Sequence, residues 1–104
     1  MFDVFLTPIA DAELAATFHY IRRKAPLAAR AWLSRIHNAT QTLRTMPERC
    51  GRAAEADTTG RDVRELLIGR KPNKFRIVFT IHPGVVWVRH IVRANRRPIP
   101  PGRF

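Results

Sequence analysis

Arginine placement is the first feature of this sequence that demands a chemical reason. The stretch KFRIVFTIHPGVVWVRHIVRANRR, residues 74–97, carries Arg76, Arg89, Arg93, Arg96 and Arg97 within and just after an apolar alternation, with Lys74 at its start and Arg70 and Lys71 just before it. A guanidinium grips a phosphate through parallel hydrogen bonds and also stacks on flat rings. Trp87, in the same run, offers an indole on which an unstacked base can lie. Residues of these types support anion binding, or cationic stabilisation of a transition state in phosphodiester cleavage.

Other chemistries find less support. His19, His37, His82 and His90 have no metal-ligand spacing and Cys50 has no companion, so neither a metal nor a cofactor is expected. Ser34 and His37 lack a carboxylate that would complete a hydrolytic set. Gly51, Gly60 and Gly69 are isolated, which excludes a phosphate-cradling loop. His90 reads as a hydrogen-bonded core histidine and Tyr20 as a packing residue of the first helix.

Bulk composition agrees with an anionic partner. Nineteen Lys and Arg oppose eight Asp and Glu, a formal charge of +11 on 104 residues. A domain this small repels itself and attracts polyanions. A membrane surface is the weakest of the candidates, because no apolar run approaches the ~20 residues of a spanning helix. No signal-peptide pattern opens the sequence and a lone cysteine requires no oxidising compartment, so a cytoplasmic location is expected.

The elements that must position the arginines follow from patterning. FDVFL, residues 2–6, alternates as a short strand. Thr7 and Pro8 then supply an N-cap and a first helical residue, and Leu14, Phe18 and Ile21 recur at helical spacing to about Lys24. Pro26 opens a second helix with a stripe of Ala28, Trp32, Ile36, Ala39 and Leu43, and Pro47 follows its end. Residues 47–62 lack periodicity and read as a loop. Three strand-like runs follow, 63–70, 74–81 and 85–93, separated by KPN and HPG turns. PIPPGRF is expected to lie extended on the surface. The expectation is a single α+β domain over 1–104 in the order β-α-α-β-β-β, an antiparallel sheet with a helical hairpin packed on one face.

Strict alternation then sorts the side chains. Phe75, Ile77, Phe79 and Ile81 form a core face, matched by Val86, Val88, His90 and Val92. The opposite, open face collects Arg76, Trp87, Arg89 and Arg93, with Arg96 and Arg97 at its rim and Arg70, Lys71 and Lys74 around the preceding turn. These residues are the candidate target- or nucleic-acid-binding surface.

The order of elements, with REL at Arg64–Leu66, Arg76 inside FRIVF and a basic end to the last strand, resembles the RelE/ParE superfamily of bacterial type II toxins. The resemblance runs from Phe2 to about Arg97. It implies a cognate antitoxin as partner and one of two targets. RelE-like members cleave mRNA on the ribosome, and there Arg76 and Arg96 (or Arg97) match catalytic arginines. ParE-like members poison DNA gyrase with no recognised nuclease site, so the resemblance leaves open whether this chain is an enzyme. Three features favour the ParE-like branch. No tyrosine or histidine follows Arg97, six of the eight acidic residues precede position 60 so that no carboxylate is expected near the basic face, and the helical hairpin is long. An acidic antitoxin tail is expected on the mixed face, anchored by Ile91 and Val78. A non-catalytic nucleic-acid-binding module is a further alternative, although only Trp87 would stand on its sheet.

Overall fold

A computed structural model describes residues 1–104. Strand β1 (Asp3–Leu6) leads through Thr7 into helix α1 (Pro8–Lys24), and Ala25 alone separates it from helix α2 (Pro26–Thr42). The Thr7 hydroxyl accepts from the Ala10 N–H at 3.2 Å, while its backbone N–H donates to the Val88 carbonyl at 2.9 Å. The cap therefore starts the helix and fastens it to the sheet in one residue. At the far end of the hairpin, the Arg49 guanidinium donates to the carbonyls of Thr42, Thr45 and Met46, satisfying acceptors that the end of α2 leaves open.

Residues 47–62, expected as a loop, contain a short helix α3 (Glu55–Thr59) closed by Gly60 at φ 67°. Strands β2 (Val63–Ile68), β3 (Phe75–His82) and β4 (Val85–Arg93) then form the expected antiparallel meander. The sheet order is β1-β4-β3-β2. The architecture is the α+β arrangement with a helical hairpin, but the sheet is mixed, because β1 pairs parallel to β4. Two hairpin turns return β4 to the direction of β2, and its free edge receives β1 with Asp3 opposite Val85. No helix is long and apolar enough to cross a membrane.

The main core lies between the hairpin and the sheet. Ala10, Trp32, Ile36, Ala39 and Leu43 meet Phe75, Ile77, Phe79, Val86, Val88 and Ile91. Within the stripe of α2, Ala29 is buried where Ala28 was expected. The sheet's second face, expected to be open, carries a core of its own. There Ala53, Ala56 of α3 and Ile99 of the last segment close over Val63 and Val78. The PIPPGRF segment is thus a cover held by a buried isoleucine, not a surface extension.

A β-bulge corrects the predicted faces. Phe79 pairs with Val88 and Val78 with His90, so Arg89 is an extra residue in β4. Beyond it the phase inverts. Ile91 and Arg93 join the helix face opposite Ile77 and Phe75, while His90 and Val92 turn to the second face.

Core packing on the helix face predicts a sharp contrast. Ile36→Ala, at a fully buried site, is expected to cost about 2–5 kcal/mol in urea unfolding. Leu27→Ala, at a position 83% exposed on the hairpin tip, should stay within about 0.5 kcal/mol of the parent.

Candidate functional site: a divided basic surface

Arg76 is not on an open surface. It is 8% exposed and sits between two carboxylates, both of which come from segments that cover or flank β3. Its Nη1 and Nη2 donate to Oε2 and Oε1 of Glu55 at 2.9 and 2.5 Å, a bidentate pair, and its Nε donates to Oε1 of Glu65 at 2.7 Å. Glu55 Oε2 also accepts the Ile99 N–H at 2.8 Å. The expectation that no carboxylate stands near the basic face is therefore overturned. Glu55 escaped notice because it lies in the stretch without periodicity. The signal available was the AAEA run around it, a short helix that turns an acidic side chain inward.

Burial by itself would push the Glu55 carboxyl up. The Arg76 hydrogen bonds and the Ile99 N–H outweigh it and hold the group at about 2. The Arg76 guanidinium is likewise disfavoured by burial, yet its two carboxylate partners raise its pKa above the usual arginine value.

The triad of Glu55, Arg76 and the half-buried Glu65, with the cover above it, divides the predicted surface into two ends. At one end Trp87, half-buried, packs on Phe5 with ring centroids 5.4 Å apart. Beside it Arg89 Nε donates to the Thr80 hydroxyl at 3.0 Å. Burial and the nearby Arg61 charge lower the Arg89 pKa. The other end lies near the turn between β2 and β3, roughly 20 Å away along β4 at about 3.3 Å per residue. Lys71, Lys74 and Arg96 gather there around a groove of about 650 Å³, whose lining also includes the paired Arg76 and Glu65. Arg97 is exposed nearby, and Arg70 is exposed on the turn outside the groove.

Arg93 is separated from Trp87 and Arg89 by the bulge. Its guanidinium lies 5.0 Å from the Phe75 ring centroid, on the helix side of the sheet. There it lines a second groove, of about 720 Å³, with Tyr20, Asn73, Asn95 and Arg96. Tyr20, expected to pack, is 44% exposed instead. The expected antitoxin anchors Val78 and Ile91 are both buried, Val78 under the cover and Ile91 in the main core. His90 is buried as expected, with Nδ1 3.2 Å from the Glu13 carboxylate and Nε2 3.1 Å from the Arg103 carbonyl.

Removing one member of the triad strands the others. Arg76→Ala is expected to cost about 3–5 kcal/mol in denaturant unfolding, because Glu55 would remain buried without its cation. The depressed Glu55 value carries a defined sign. Its stabilisation is full above the ordinary carboxyl value of 4.5 and is lost as pH falls from there toward about 2. Acid titration of Glu55→Gln, followed by circular dichroism, should show a flatter dependence across that window than the parent.

The comparisons with known proteins agree with this architecture. No curated protein matches the sequence. A solved structure described as a chromosomal ParDE TA system from P. aeruginosa is similar, with a TM-score of 0.71 and 25% sequence identity over 89% of this chain and 96% of that one. Residues 4–98 match the family model for the ParE toxin of the type II toxin–antitoxin system parDE. With nearly the whole chain covered by that match, from β1 through the end of the basic turn after β4, this protein belongs to the ParE toxin family of type II toxin–antitoxin systems.

Proposed function

We propose that this toxin halts growth by poisoning DNA gyrase in the cytoplasm, not by cutting mRNA on the ribosome. The observation that carries this reading is the state of Arg76. A cationic nuclease centre must bring its guanidinium to a phosphate as charge develops. Here both edges of that guanidinium are already committed to Glu55 and Glu65 beneath a cover of α3 and Ile99. Releasing it would leave a carboxylate buried and unpaired, at a cost of several kcal/mol. Arg96 alone remains exposed from the pair that the RelE-like reading needs.

Membership of a type II family implies a cognate antitoxin. An acidic, amphipathic antitoxin segment suits the Trp87 end of the sheet. Phe5, 48% exposed, and Trp87 offer apolar anchors there, with Arg89 and Arg61 as complementary charges. Ordering such a segment on the toxin would draw its free energy from those anchors and from relief of the toxin's own charge repulsion.

The test is induction of the chain alone in growing bacteria, with labelled thymidine and labelled amino acid followed over the first minutes. DNA synthesis should fall first and cells should filament, and purified toxin should inhibit gyrase supercoiling. Arg96→Gln should remain toxic. Collapse of protein synthesis before DNA synthesis, with mRNA cut in its coding region, would sink the gyrase reading.

A further inference from the structure

The two grooves at the turn end of the sheet share a wall. Pro72, Asn95 and Arg96 line both of them, so they meet around the shoulder where the chain leaves β4. On the helix side the groove presents Tyr20 and Arg93, and on the second face it presents Lys71 and Lys74.

The charges along this path are unevenly satisfied. Glu13, at the floor of the first groove, is taken up by the His90 ring at 3.2 Å and the Ile91 N–H at 3.1 Å. Glu65, in the second, is taken up by Arg76. No salt bridge neutralises Lys71, Lys74, Arg93 or Arg96. The acids of the path are therefore taken up internally, while its cations have no carboxylate partner; Arg93 donates only to Asn73 Oδ1, at 3.4 Å, and rests on the Phe75 ring.

Tyr20 supplies what a purely electrostatic surface lacks. Its phenol oxygen accepts from Lys24 Nζ at 2.9 Å, and the ring stands partly open at the groove's edge. The Lys24 hydrogen bond and the surrounding cations Lys24, Arg93 and Arg23 hold the phenol below its usual pKa. A flat ring flanked by cations is the arrangement on which an unstacked base lies while its phosphates are held. Asn95 adds a side-chain amide, both donor and acceptor, of the kind that base edges pair with, and Asn73, whose Oδ1 accepts from Arg93 Nη1 at 3.4 Å, adds an NH2 donor.

We propose that these grooves form one track for a single-stranded nucleic-acid segment, with a base on Tyr20 and the phosphates following Arg93, Arg96, Lys74 and Lys71. A duplex does not fit this path. DNA stiff over ~50 nm cannot turn the shoulder at Asn95–Arg96, whereas a single strand can. The inference goes beyond the gyrase reading and does not depend on it. It assigns the toxin a direct contact with a strand, whichever protein it poisons.

The test is fluorescence anisotropy of labelled oligodeoxyuridylate, the matching oligouridylate and a duplex of equal length, titrated with the full chain at several salt concentrations. At least one single strand should bind more tightly than the duplex, and whichever binds better identifies the sugar. Arg93→Gln and Arg96→Gln should each lower the salt slope by about 0.7. Tyr20→Leu should weaken binding roughly 5- to 150-fold, corresponding to the ~1–3 kcal/mol of one base–aromatic stack. Arg30→Gln, an exposed cation outside both grooves, should bind as the parent does. The proposal is overturned if the three track variants bind like the parent, or if the duplex binds as tightly as both single strands. Displacement by polyglutamate that is equally effective on Tyr20→Leu would reassign the track to an acidic peptide.

Discussion

The ion cluster of Glu55, Arg76 and Glu65 is the contact on which the rest of the second face depends. It joins α3, β3 and β2, and through the Ile99 N–H it also holds the last segment. Such a cluster is not a large source of net stability, because the desolvation of three charges offsets most of their attraction. Its effect is positional. With the acids satisfied only by Arg76 and Ile99, α3 and residues around Ile99 have one low-energy seat, and a second small core closes over Val63 and Val78. A sheet that would otherwise face water on one side becomes covered on both sides in its middle.

The bulge at Arg89 is the second organising feature. One extra residue in β4 lets Val86, Val88 and Ile91 all face the helices, although their spacing breaks strict alternation. It also turns His90 toward the cover and leaves the Ile91 N–H at the strand edge beyond the end of β1. Glu13 of α1 meets both needs, accepting from that N–H and facing the His90 ring. Helix, edge strand and last segment are tied together at a point where a β-edge would otherwise offer an unpaired donor.

These two devices explain how a protein with so large a positive charge keeps separate working surfaces. The cover and the triad occupy the middle of the second face. The Trp87 and Arg89 end is left beside an apolar patch, and the Lys71, Lys74 and Arg96 end beside two grooves. If the patch takes the antitoxin segment and the grooves take a phosphodiester strand, as proposed, the two ligands meet different residues of the toxin.

The sequence by itself determined the element order, the helical hairpin with its Thr7 cap and Pro26 start, the antiparallel run of the last three strands and the superfamily. Each of these is local: a cap, a proline, a turn or a hydrophobic period acts over a few residues and leaves its pattern in them. Only the tertiary structure decided which arginines are free. Arg76 has the same local pattern as an exposed strand arginine, and its burial depends on Glu55 arriving from a segment without periodicity, 21 residues away. The face of Arg93 depends on a bulge, which a period-two reading cannot contain. Tyr20 became a groove residue because the end of β4 and the turn before β3 came to lie beside α1. Charge is legible in a sequence, but its availability depends on which opposite charge the fold brings to it, and long-range pairing settles that.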